Sequence, residues 1–169
     1  QASRVLERRD EARHADHPGA MASVQDCIDA GYHLLRRRAD ASPNTKRKLL
    51  KGNHCWRIEQ ELLLRAERMY GIAPAGEDLP ALSLRRLLHL DALGVEFVEH
   101  PLGWEHAEVE LVPGNEGLVI RHGWLTGANT AARSLDKRGR SLIVGHGHGR
   151  EHAFKWDAGS GVERQALMA

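Results

Sequence analysis

Nothing in this sequence is built to cross a bilayer. No apolar run approaches the ~20 residues that a spanning helix needs. The charged N-terminal stretch has no visible secretory signal, so no membrane association is expected. Cysteine is scarce, with only Cys27 and Cys55 in 169 residues. Two thiols do not make a disulfide framework, which points to a reducing, cytoplasmic setting. Charge of one sign is missing too: 24 Lys and Arg face 23 Asp and Glu, a formal net charge of +1, so the whole-chain balance gives no argument for nucleic-acid or membrane binding. Internal repeats, low-complexity tracts and interdomain linkers are also absent. One domain over residues 1–169 is therefore expected, long enough to bury a core and ordinary in its 41% apolar content. Histidine is the one abundant oddity, at 11 residues, and it raises the prior for metal chemistry.

Residues 2–13 read as a charged helix or irregular arm, with the arm ending near Pro18. From residue 20 to 38 the apolar positions Met21, Val24, Ile28 and Leu35 recur at helical spacing. A short strand follows over 46–50, then a turn, then a helix over 56–69 with Ile58, Leu62, Leu63 and Ala66 on its buried stripe. Residues 71–80 form a loop, and Ser83 caps a short helix ending at Leu88. The second half switches to the period of strands, at 95–98, around Val109 and Leu111, at 118–121, at 141–144 and at 153–157. One more helix spans 129–137, capped by Asn129 or Thr130. The pattern predicts a layered mixed α/β domain with a sheet-rich second half.

Three strand ends deliver polar ligand atoms. Gly52-Asn53-His54 follows Leu49-Leu50, His122-Gly123 follows Leu118-Val119-Ile120, and Gly145-His146-Gly147-His148 follows Leu142-Ile143-Val144. In a tight glycine-flanked turn, His146 and His148 can converge on one cation, or on two lying about 3.5–4 Å apart. Each piece also has a plain reading. Asn53 can be a turn residue, His122 a hydrogen-bonded structural histidine, and the last motif a surface hairpin with solvated histidines. Taken in order, the three together are far more specific than any one of them.

In that order the motifs resemble the calcineurin-like metallophosphoesterases, and in particular their phage and prophage members. That family runs Asp-x-His, Gly-Asp-x-x-Asp, Gly-Asn-His followed by an acidic residue, a later His, and Gly-His-x-His. Residues 49–69, 121–123 and 142–152 are similar to the last three blocks. Residues 83–104 look like an insert of the phage-type members, and 24–38 look like the helix before the Gly-Asn-His strand. The resemblance implies a layered α/β/β/α sandwich and a metal-dependent phosphoesterase. Its substrate would be a phosphomonoester or phosphodiester, possibly a nucleotide or nucleic acid. It implies that Asn53, His122 and His146 bind one divalent cation and His148 a second. His54 would act on the leaving oxygen, and Arg57 would bind phosphate or serve as a solvent ion-pair residue. Mixed nitrogen and oxygen donors suit Mn²⁺ foremost, with Fe, Zn²⁺ or Ni²⁺ as alternatives.

Two departures qualify this. Cys55 stands where the family has an acidic residue, and neither Asp-x-His nor Gly-Asp-x-x-Asp occurs anywhere in the chain. Asp10, His14, Asp16 and His17 have suitable atoms but not the spacing. The expectation is a C-terminal portion of the family's domain, incomplete at its N-terminus and weak or inactive alone. A homo-oligomer or partner chain would cover the sheet edge thus exposed. The alternative is a degenerate, non-catalytic module on the same fold, possibly nucleic-acid binding through Arg36-Arg37-Arg38 and Lys46-Arg47-Lys48.

Overall fold

The first helix begins at Ser23, whose hydroxyl accepts from the Asp26 backbone N–H while the Asp26 carboxylate accepts from the Ser23 N–H, at 3.1 and 2.8 Å. The structure is a computed structural model and describes residues 23–112, 117–147 and 149–168. The expected N-terminal arm, with Asp10, His14, Asp16 and His17, lies outside the described residues, as does His148. Among the described residues there are four α-helices and seven strands: α1 Val24–Ala41, β1 Arg47–Leu50, α2 Asn53–Arg65, α3 Leu84–Leu87, β2 Val95–Val98, β3 Glu108–Glu110, β4 Leu118–Arg121, α4 Thr130–Arg138, β5 Ser141–Val144, β6 Glu151–Asp157 and β7 Val162–Met168. Short 3₁₀ turns lie at Glu67–Met69 and Trp104–His106.

The mixed α/β character expected from the pattern is present, in two parts. β1 and β2 form a parallel pair, and the other five strands form a mixed sheet in the order β3-β4-β5-β7-β6. In that sheet β4, β5 and β7 run parallel, with β3 and β6 antiparallel at its two edges. Each part has its own core. The apolar stripe of α1 (Ile28, Tyr32, Leu35) packs with Leu49 and Phe97 around buried Leu88, Leu90, Leu93 and Val95. The second core sets Ala131 and Leu135 of α4 against Val119, Leu142, Val144, Ala166 and Met168 of the mixed sheet. Alternation along the strands turns Phe154, Trp156 and Leu167 to the other face, where all three are exposed.

Two elements differ from the sequence reading. α2 starts at Asn53 rather than Trp56, with Gly52 as an extended N-cap, so Asn53 and His54 form its first turn instead of preceding it. Its C-terminal end is shorter, at Arg65, with the 3₁₀ turn taking the remainder. The last strand, β7, has no counterpart in the sequence reading; it pairs with β6 over its whole length through a four-residue connection, 158–161.

The cap of α4 also differs. Asn129 sits at the N-cap in the left-handed region (φ 58°) and makes no side-chain cap bond. Thr130 donates instead to the Gly127 carbonyl at 2.7 Å, and the Glu151 carboxylate, from β6, accepts from the Ala131 N–H at 2.8 Å. That carboxylate fills the role of a capping side chain and faces the positive end of the helix dipole. Glu151→Ala is expected to cost about 1 kcal/mol, read as a lower urea midpoint with an unchanged slope, while Glu151→Gln retains most of that stability.

Candidate metal centre

β1 and β4 end at the seam between the two cores, and β5 ends beside β4. Their register runs Leu118↔Ser141 to Arg121↔Val144, so the residues after these strands leave the sheet side by side. His122 comes next after β4 and His146 two residues after β5, with the Gly145 N–H donating to the His122 carbonyl at 3.2 Å. The end of β1 delivers Gly52 and then Asn53.

The side chains meet. His122 Nε2 lies 2.9 Å from Asn53 Oδ1 and 3.1 Å from His146 Nδ1. The two imidazole centroids are 5.0 Å apart at 73°. Two glycines allow this. A Cβ on Gly52 would come within 2.8 Å of His122 Nδ1, so the ring rests directly on the backbone there. Gly123 has φ +80°, and a Cβ on it would come within 2.4 Å of Val144 Cγ1, so no other residue suits the turn that aims His122.

The geometry fits a shared cation better than hydrogen bonds alone. One imidazole nitrogen carries a single hydrogen or a single in-plane lone pair. His122 Nε2 therefore cannot make two good bonds, to an amide oxygen and to a second imidazole, at once. Donors bound to one ion at about 2.1 Å lie roughly 3 Å from their neighbours, and the two separations here have that size. Asn53 Oδ1, His122 Nε2 and His146 Nδ1 are thus the atoms that could hold a metal. All three donors are neutral. Among the described residues no group of three or more His, Cys, Asp and Glu is placed to hold an ion.

Trp104 closes one side of the cluster. Its ring lies 5.4 Å from that of His122 and 5.8 Å from that of His146. The Arg121 guanidinium anchors the turn bearing Trp104 by donating to the Glu105 carbonyl, and stacks 4.6 Å over Trp124. Burial holds the Arg121 pKa below the ordinary arginine value against the raising effect of Glu108. His54 is exposed on the first turn of α2, and Arg57 is exposed one turn further on. Among the described residues neither makes a hydrogen bond or ring contact with the cluster. Cys55 is a half-buried free thiol.

No family model, no curated protein and no solved structure matches this chain.

The sequence reading missed two residues beside the cluster. Trp104 had no motif around it. Lys51 was visible as a lysine directly after an apolar strand, a place where its stem must be buried. Its ammonium donates to Glu59 at 2.6 Å and Glu99 at 2.8 Å and lies 5.5 Å from the Trp56 ring. Burial pulls its pKa down, but the hydrogen bonds and charges of Glu59 and Glu99 outweigh that and leave it above the ordinary lysine value. A raised folded pKa adds stability that is fully present below the unfolded lysine value of about 10.4 and is lost as pH rises through the folded value. Lys51→Met leaves Glu59 facing Glu99 without a cation and is expected to cost about 1–3 kcal/mol near neutral pH. Denaturation midpoints followed into the alkaline range should converge for wild type and variant; a constant gap would refute this role.

Proposed function

We propose that this chain carries the second-cation half of a metal-dependent phosphoesterase site, built as in the calcineurin-like family. The observation that carries the reading is the convergence of Asn53 Oδ1, His122 Nε2 and His146 Nδ1 from three strand ends. The resemblance implies the same three as ligands of one ion. On this reading the chain is part of the family's α/β/β/α sandwich. The exposed Phe154, Trp156 and Leu167 and the outer edges of β1 and β2, unpaired among the described residues, would be covered by further strands, a second copy or a partner.

A divalent cation bound there, Mn²⁺ foremost, would supply Lewis acidity toward a phosphate oxygen and a nucleophilic water near neutral pH. The residues of the chain do the remaining work. α2 has no side-chain cap on its N-terminus, so its first-turn amides and dipole are open to an anion beside Asn53. On this reading His54, exposed on that same turn, would hold a proton for the leaving oxygen. Arg57 extends the cationic side of the approach. Trp104 shields the imidazoles from water on one side and fixes their ring planes.

The neutral donor set suits one cation rather than a close pair, whose charge a bridging carboxylate normally offsets. Mn²⁺ titration by calorimetry is expected to give one ion per chain, with His122→Ala or His146→Ala weakening it about 100-fold or more. Gly52→Ala, which drives a methyl into the His122 ring, is expected to weaken it about tenfold and, because that ring sits on the seam, to cost about 1–3 kcal/mol of stability. Phosphatase and phosphodiesterase activity with added Mn²⁺ is expected to be weak and to disappear in His54→Ala and His146→Ala. Activity that survives both substitutions refutes the assignment.

The absence of a carboxylate among the described residues of the cluster, together with Cys55, favours a second reading: a non-catalytic module of the same fold. Absence of bound metal at micromolar supply would select it.

A further inference from the structure

We propose that the cavity next to the histidine cluster is a nucleobase pocket, and that the phosphoester handled at this site is a nucleotide whose base bears an exocyclic amino group. The phosphate end of this proposal rests on the phosphoesterase reading; binding of the base does not.

The cavity is an open cleft offering about 450 Å³, within the range of small-molecule sites. Two indoles line it, from Trp56 on α2 and from Trp104, with Pro101 and Leu102 completing apolar walls. Trp104 is also the residue whose ring lies within 6 Å of both imidazoles. A planar group held against Trp104 would therefore keep whatever is attached to it at the mouth of the metal cluster. Flat aromatic walls favour a planar ligand, because stacking contributes only when both partners present a face.

The polar lining selects further. Lys51, Glu59, His100 and Glu105 border the cavity. Lys51 is held by Glu59 and Glu99, and His100 Nδ1 accepts from the Leu102 N–H, which leaves the Glu105 carboxylate as the acceptor for a ligand. Carboxylates accept hydrogen bonds and repel phosphate. The cavity thus suits the N–H-bearing edge of adenine, guanine or cytosine, and not the phosphate, which goes to the open helix end and the imidazoles. Uracil and thymine have one edge donor, N3–H, flanked on both sides by carbonyl oxygens that would oppose the carboxylate, whereas the amino bases offer an N–H₂ with no such flank on its outer side.

Saturation-transfer NMR with metal-free protein tests this, using adenosine, uridine and ribose 5-phosphate as probes. Adenosine is expected to bind, uridine more weakly, and ribose 5-phosphate not at all. Trp56→Leu should weaken adenosine about tenfold. Because Trp56 is half-buried, a second variant is needed that leaves the cores alone. Leu102→Asp, at a position 73% exposed, puts an anion on the cavity wall and should also weaken adenosine. Equal binding of ribose 5-phosphate and adenosine, or adenosine binding unchanged in both variants, overturns the proposal. Protein that binds Mn²⁺ but not adenosine loses the base pocket and keeps the metal site. Protein that binds adenosine but not Mn²⁺ does the reverse.

Discussion

The imidazole of His122 lies on the backbone of Gly52, closer than any side chain at that position would permit. The contact joins the two halves of the molecule. Gly52 ends the strand that packs under α1, and His122 ends a strand of the mixed sheet under α4. Between them the halves keep separate cores, so their relative placement near the site depends on a few seam contacts. These are the ring on Gly52, the Asn53 amide on Nε2, and Trp104 across both imidazoles. Asn53, His122 and His146 therefore share one point only while the seam is intact.

Lys51 supports the same seam from the other side. It extends β1 by donating its backbone N–H to the Val98 carbonyl, and its ammonium ties α2 to the loop after β2 through Glu59 and Glu99. The first turn of α2, which carries Asn53, His54 and Cys55, is thereby fixed against the strand pair that precedes it. A buried ammonium with two carboxylates is costly to break, because removing the cation leaves the largely buried Glu59 carboxylate facing the exposed Glu99 with no counterion. The network also separates the polar seam from the apolar cleft lined by Leu62, Leu82 and Phe97.

The sequence was most legible where one physical signal dominated. Leu118–Arg121 and Ser141–Val144 are short apolar runs next to glycines, and both strands lie where that pattern puts them. Ser83 precedes a short apolar stretch, and it caps α3. The start of α2 was misplaced because its first turn is polar and carries no apolar stripe, so periodicity begins a turn late. β7 is hard to read because Arg164 stands on its inward face and apolar Leu167 on its outer one, which breaks the alternation. Only the buried Ala166 and Met168 mark the face toward α4. Glu151 was invisible as a cap because it lies 20 residues beyond the amide it serves.

The sequence by itself determined which residue types could form a site, their order, and their positions just after strands, since apolar runs and glycines are local features of the chain. Only the tertiary structure decided which of them meet. Asn53 and His122 are 69 positions apart, and His122 and His146 are 24 apart. Their contact depends on the parallel register of β4 with β5 and on the docking of the two cores. The same docking put Trp104 on the imidazoles and left His54 and Arg57 in solvent. Local spacing says where a side chain leaves the backbone. Packing between distant elements says what it faces when it gets there.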